Sequence, residues 1–361
     1  MRAAVTRNGA IVVDEVPDPV PGPGQVLVRS LACGICGSDL HALEHFEEFV
    51  AFSKRGGVGP GLEPDRDVVF GHEFCGEIVD FGPGSGRALP IGTKVCAVPM
   101  VIGPRGPELV GYSHTFAGGF AEMMVLQEMF LRAVPEGVPA EHAALTEPMA
   151  VGEHAVARGE VAGDDVCLVI GCGPVGLAVI AALKARGHAP VIATDFSPMR
   201  RRLAATLGAD EVIDPAKDTP FSKWEQLGVP NTIMARTLAE TAGRARNAVI
   251  FESVGAPGIL QMIIEGAPPR ARVVVVGVCM EPDKIEPMVA VGKELDLRFS
   301  FGYRAEEFAA TFDRIVNGTL NVAPLVTGKV GLDGVAGAFK ALHNPEEHAK
   351  IIVRPNGVGG N

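Results

Sequence analysis

Val166-Cys167-Leu168-Val169-Ile170-Gly171-Cys172-Gly173-Pro174-Val175-Gly176 is the stretch on which the fold turns. Its apolar opening is too short to span a bilayer and suits a strand covered on both faces. The three glycines then follow at the spacing of a dinucleotide fingerprint. Gly171 permits a tight turn, Gly173 lets the backbone approach a pyrophosphate, and Gly176 lets a helix pack closely on the strand. Pro174 and Val175 complete the fingerprint, and Gly176–Arg186 then has helical spacing, with Leu177, Ile180, Ala181 and Leu183 on an apolar face. A helix N-terminus at this turn offers free N–H groups and the positive end of its dipole to phosphates.

The pattern continues on the C-terminal side. Val191–Thr194 reads as the next strand and ends at Asp195. A carboxylate there can accept both adenosine ribose hydroxyls and repels a 2′-phosphate, which favours NAD over NADP. Arg200, Arg201 and Arg202 pull the other way, since an arginine beside this acid accommodates a 2′-phosphate. Pro198–Leu207 reads as a basic helix. Glu211–Ile213, Ala248–Phe251 and Arg272–Gly277 continue the strand series, and the alternation of strand and helix predicts a parallel doubly wound sheet. A helix is expected at Ala305–Val316 and a last strand at Lys350–Val353.

The N-terminal side has another rhythm, rich in Gly, Pro and short apolar alternations. Val26–Arg29 and Cys75–Val79 read as strands of a small β-barrel, with Pro17, Pro19, Pro21, Pro23 and Gly24 in a preceding loop. Two motifs lie within it: Cys33-Gly34-Ile35-Cys36-Gly37-Ser38-Asp39-Leu40-His41 and Gly71-His72-Glu73. Together they offer a thiolate, an imidazole and a carboxylate, the mixed ligand set of a catalytic zinc with an open position. Cys33 and Cys36 alone also allow half of a structural zinc knuckle or a redox dithiol. There is no second Cys-x-x-Cys and no thioredoxin-like order of elements around this one. Asp39 reads as a helix N-terminal acid.

Composition bounds the rest. The 361 residues exceed what one core usually serves, so two domains are expected. A net charge of −11 argues against nucleic acid and anionic membranes as partners. No apolar run is long enough for a membrane helix, and the start lacks the apolar region of a signal peptide. Seven cysteines at irregular spacing fit a reducing cytoplasm better than a disulfide framework.

Cys36-Gly37-Ser38-Asp39-Leu40-His41, Gly71-His72-Glu73, Thr146-Glu147-Pro148 and the glycine fingerprint resemble the zinc-dependent medium-chain alcohol dehydrogenases in order and spacing. The resemblance covers nearly the whole chain. Glu147-Pro148-Met149-Ala150-Val151-Gly152 is most similar to the polyol branch of sorbitol, butanediol and threonine dehydrogenases. The resemblance implies an α/β protein with a GroES-like β-barrel catalytic domain over 1–149 and 296–361. A doubly wound Rossmann NAD-binding domain over 150–295 interrupts it. Zinc ligands are implied at Cys36 and His72, with Glu73 or Glu147 as the third protein ligand. Ser38 and His41 are implied as a proton relay, and Glu73 as a catalytic carboxylate. Val254, Val276, Gly277 and Val278 are implied at the nicotinamide and Lys350 on the pyrophosphate. The bland alternatives are core packing for the valines and a solvated charge for Lys350. The implied activity is hydride transfer between a secondary alcohol, diol or polyol and NAD, giving a ketone or aldehyde, in a homodimer or homotetramer.

Two departures from the pattern stand out. Many relatives carry a second, structural zinc on four cysteines in the lobe after Gly71-His72-Glu73. Here Val98–Phe116 contains no cysteine and only Cys96 precedes it, so one zinc per chain is expected. The segment from His41 to His72 is also long. Leu43, Phe46, Phe49 and Val50 are spaced for one helical face, with Glu44, Glu47 and Glu48 opposite. This predicts either a packed surface helix or a lid that includes Phe52, hinged at 56–61. Rival readings are a zinc-independent quinone or enoyl reductase of the same fold and a non-catalytic nucleotide-binding homologue; Cys36, His72, Glu147 and the relay weigh against both.

Overall fold

The computed structural model describes residues 1–56, 62–63, 65–104 and 106–357. They divide into two compact units. One comprises Met1–Glu147, Phe312–Gly318 and Leu325–Asn361; the other comprises Pro148–Thr311 and Thr319–Pro324.

The second unit is built on six parallel strands. In sheet order these are Glu211–Ile213, Val191–Thr194, Val166–Ile170, Ala248–Glu252, Arg272–Val275 and Asp296–Phe299. The first strand in sequence lies at the centre, with the chain winding outward to each side, so a topological switch point falls beside it. Every residue of Val166–Ile170 is buried, as its unbroken apolar run predicts. Burying each such side chain stabilises the fold by about 1.5–3 kcal/mol. Helix Pro174–Ala185 follows directly, with Gly173 as its N-cap. A Cβ on Gly176 would collide with the Gly171 carbonyl, so only glycine allows the helix to start this close to the turn. One boundary is corrected. The expected break between 295 and 296 falls just before Asp296–Phe299, yet that strand pairs with Arg272–Val275 and completes the sheet.

The first unit is centred on Gln25–Gly34, which pairs with Glu73–Phe81, Met123–Gln127 and Lys350–Val353. The last strand thus returns the C-terminal chain to the barrel. Gly34 faces Glu73 across the antiparallel ladder, which brings the two sequence motifs together at one end of the sheet. The cysteine-free lobe contains a hairpin of Met100–Gly103 and Gly106–Leu109. Buried Glu108 accepts a hydrogen bond from Ser113 Oγ at 2.6 Å, and Ser113 in turn accepts from the Thr115 and Phe116 backbone.

The long segment after His41 forms two helices rather than one face. Gly37–Glu44 ends at His45, and Phe46–Gly56 follows. Leu43, Phe46 and Phe49 pack against the barrel core, and Glu44, Glu47 and Glu48 are exposed. This is the packed surface helix of the two expectations. Residues 57–61 of the expected hinge lie outside the described residues. Among the described residues, no helix is long and apolar enough to cross a membrane.

Candidate active site

Cys36 is the N-cap of helix Gly37–Glu44, at the positive end of its dipole. Its backbone N–H donates to Asp39 Oδ2 at 3.0 Å, so Asp39 is the helix-capping acid the sequence suggests. The ligand atoms of Cys36, His72 and Glu73 all lie within 4.8 Å of one another. His72 and Glu73 are buried. Room for the Glu73 carboxylate exists because residue 34 is glycine; a Cβ there would overlap it.

This cluster suits a zinc ion. A thiolate, an imidazole and a carboxylate are a three-ligand catalytic set that leaves a fourth position open. His72 Nδ1 is buried and makes no hydrogen bond, although Asp39 Oδ1 lies 3.4 Å away. A buried imidazole and carboxylate with a thiol, their donor atoms this close together, make a set that a cation would hold in common. Burial pulls the His72 imidazolium down, but Asp39 and Cys36 outweigh it, so the metal-free ring stays protonated. Binding a metal there must expel that proton.

Lys350 requires a correction. It is expected on a pyrophosphate, but its buried ammonium donates to both Glu73 oxygens, at 2.6 Å and 2.9 Å, and to the Ile35 carbonyl at 3.0 Å. Burial alone would lower its pKa; Glu73, Cys36 and Glu147 reverse that and keep it charged. A lysine in so dry a site finds its partner in a carboxylate, not in solvent. Glu147 is buried in the first turn of helix Thr146–Gly159 and acts on this site through its charge.

Ser38 and His41 are both half-buried on helix Gly37–Glu44, three residues apart and therefore on one face. Burial, then the neighbouring His45, lowers the His41 pKa, and Glu44 opposes them. The neutral ring at pH 7 can accept a proton. Tyr112 has no sequence motif to announce it. Its hydroxyl lies 2.9 Å from both Ser38 Oγ and Asp39 Oδ1, and its ring packs 5.2 Å from that of His72. Burial, with the charges of Asp39 and Cys36, pushes the phenol well up, so it remains protonated. The one available signal is rarity: the chain has two tyrosines.

The nucleotide residues assemble in the second unit. Asp195 Oδ2 accepts the Cys172 N–H of the glycine turn at 2.7 Å, and Oδ1 accepts the Ser197 N–H at 2.8 Å. Gly171, Gly173, Pro174, Val175 and Gly176 form the turn and the first helical residues. Arg200 Nη1 is 3.9 Å from Asp195. Arg201 is committed elsewhere, to the Asp195 and Phe196 carbonyls and to Asp214, and Arg202 is exposed. Val254 and Val276–Val278 gather at the C-terminal ends of two adjacent strands. Glu252 accepts from the Val254 and Gly255 N–H groups through its carboxylate, and from Val276 and Gly277 through its carbonyl. Val276 is buried, whereas Val254 and Val278 are exposed.

Comparison with known proteins agrees with this geometry. The family model for the alcohol dehydrogenase GroES-like domain matches residues 22–136, and that for zinc-binding dehydrogenases matches 174–317. The chain is 31% identical to (R,R)-butanediol dehydrogenase of Neisseria gonorrhoeae over 99% of its own length and 100% of the relative's. It is 31% identical to L-threonine 3-dehydrogenase of Pyrococcus furiosus over 91% and 90%. The crystal structure of 2R,3R-butanediol dehydrogenase from Bacillus subtilis superposes with a TM-score of 0.80 at 30% identity, covering 98% of this chain and 99% of that one. With a thiolate, imidazole and carboxylate cluster in a GroES-like unit and a glycine fingerprint in a doubly wound one, the chain belongs to the zinc-dependent medium-chain alcohol dehydrogenases, oxidoreductases that use a nicotinamide cofactor.

Proposed function

We propose that this chain oxidises a secondary alcohol, diol or polyol with NAD, using one zinc held by Cys36, His72 and Glu73. The convergence of these three ligand atoms to within 4.8 Å of one another carries the reading. A zinc ion there supplies Lewis-acid charge that lowers the hydroxyl pKa of an alcohol. Cys36 and His72 hold the site, and Glu73, tied down by Lys350, adds a carboxylate of fixed orientation. Ser38 Oγ accepts the alcohol's proton as it gives up its own, which His41 carries toward solvent. Val276–Val278 and Val254 offer backbone groups to the nicotinamide.

Asp195 supports NAD over NADP. Its carboxylate is held in place by two backbone N–H groups, so a 2′-phosphate would meet a fixed like charge. Diols and polyols are favoured as substrates by the full-length likeness to butanediol dehydrogenases. The cysteine-free stretch Val98–Phe116 supports one zinc rather than two.

Elemental analysis with an alcohol panel and both cofactors tests the reading. The expected result is about one zinc per chain, with turnover of vicinal diols in NAD. Cys36→Ser should lose metal and turnover while still binding NADH. Retention of zinc and rate in that variant would sink the ligand assignment.

A further inference from the structure

The lobe that lacks the second zinc site carries Tyr112 into the neighbourhood of His72 and Ser38. Gly111 makes this approach possible. It adopts φ +87°, and a Cβ there would press on the Gly71 carbonyl at 2.9 Å, immediately before His72. Gly119 N–H donates to the same carbonyl at 2.7 Å, so the lobe is fastened to the segment that bears the imidazole. Phe49 then stacks on the outer face of the Tyr112 ring, with centroids 5.3 Å apart and planes at 28°. The phenol is clamped between a helix and a metal ligand, with few rotamers open to it.

Its hydroxyl meets two partners that cannot both take its proton. A phenol has one O–H, and a carboxylate can only accept. The arrangement that satisfies all three groups has Tyr112 donating to Asp39 Oδ1 and Ser38 donating to Tyr112 Oη, each across 2.9 Å. In it, the lone pairs of Ser38 Oγ are free to face a substrate hydroxyl. Without the Tyr112 hydroxyl, the Ser38 hydroxyl loses this partner and the orientation it sets.

We propose that Tyr112 is a positioning residue of the proton relay: it holds the Ser38 hydroxyl so that Oγ accepts from the alcohol, and as that proton arrives the serine's own proton leaves Tyr112 Oη for His41. The proposal rests on the reading of Ser38 as the relay serine. Because Asp39 also caps Cys36 and lies beside His72, the tyrosine ties the relay to the helix that holds the first metal ligand.

Tyr112→Phe keeps the ring between Phe49 and His72 and removes only the hydroxyl, so it isolates the effect. The test compares this variant, Ser38→Ala and the double variant, with NAD and a vicinal diol. It measures kcat, KM, the solvent deuterium isotope effect and zinc content. The expected result for Y112F is a roughly tenfold fall in kcat, KM changed less than about twofold, a raised isotope effect and unchanged zinc. In the S38A background the same change should add nothing, since both remove one function. A Y112F penalty that multiplies fully with that of S38A, or a rate loss that tracks lost zinc, overturns the proposal alone. A wild-type rate in S38A overturns the relay reading, and this proposal with it.

Discussion

Lys350 Nζ sits between the two carboxylate oxygens of Glu73, at 2.6 Å and 2.9 Å, with both side chains buried. The pair gives the metal site a carboxylate whose orientation is set before any ion arrives. When the metal is absent, Lys350 is the cation that hydrogen-bonds that carboxylate. Replacing Lys350 by methionine keeps the volume and strands the charge, a loss on the order of 3–5 kcal/mol. Zinc would then be the remaining positive charge beside Glu73. Thermal melts should therefore show that stripping zinc with a chelator lowers the Tm of K350M more than that of the wild type. Equal losses in both would mean that Glu73 does not sense the metal.

Asp195 holds the glycine turn, and the proposed function gives it the adenosine ribose as well. Asp195→Ala should reduce the ratio of kcat/KM for NAD over NADP by about tenfold or more, since a fixed like charge is removed from the 2′ position. Arg200, at 3.9 Å, would be released to meet a 2′-phosphate. The Cys172 and Ser197 N–H groups lose their acceptor, so some loss of NAD affinity should accompany the switch. Steady-state kinetics with both cofactors decides it; a wild-type preference for NADP would show that the arginine outweighs the acid.

His41 makes a pH-dependent claim. Burial and His45 set its pKa below 6.5, so the neutral base is present at pH 7 and is lost only on the acid side. His41→Gln should slow alcohol oxidation by about tenfold or more near neutrality. The deficit should shrink as hydroxide takes over the base role at high pH. A loss of equal size at every pH would assign His41 to structure.

Glu141 tests the barrel's return strand. Burial pushes its carboxyl up, but Lys329 at 2.6 Å, a backbone N–H and Arg354 hold it down at about 2. A folded pKa below the unfolded value means stability that is present above about pH 4.5 and lost as pH falls toward 2. Glu141→Gln should cost at most about 3 kcal/mol at pH 7. Urea titrations from pH 7 to pH 3 should also show a flatter acid dependence than in the wild type. An unchanged acid limb would place the acid sensitivity elsewhere.

The nucleotide-binding unit was legible in the sequence because its determinants are local. An all-apolar run, three glycines at fixed spacing, a helix and an acid at the end of the next strand each act within a few residues. Strand and helix boundaries in that unit follow the sequence pattern to within two or three residues. The sixth strand, Asp296–Phe299, was not legible. Asp296 and Phe299 are exposed and the two residues between them only half-buried, as befits the sheet edge, so it shows no core-strand signature.

The sequence by itself offered the donor types and their order, Cys36, then His72, with Glu73 or Glu147 as the third, since thiolate, imidazole and carboxylate suit zinc wherever they stand. Only the tertiary structure decided what surrounds them. Lys350 reaches Glu73 across 277 residues, and Tyr112 reaches Ser38 across 74. Such contacts carry no spacing rule, because they arise where the last strand and the cysteine-free lobe fold back onto the barrel. Lys350 thus looked like a surface or phosphate charge in sequence and proved to be a buried counter-ion. The difference is burial: in a dry site a charge takes the opposite charge beside it, and sequence alone does not reveal which neighbour that is.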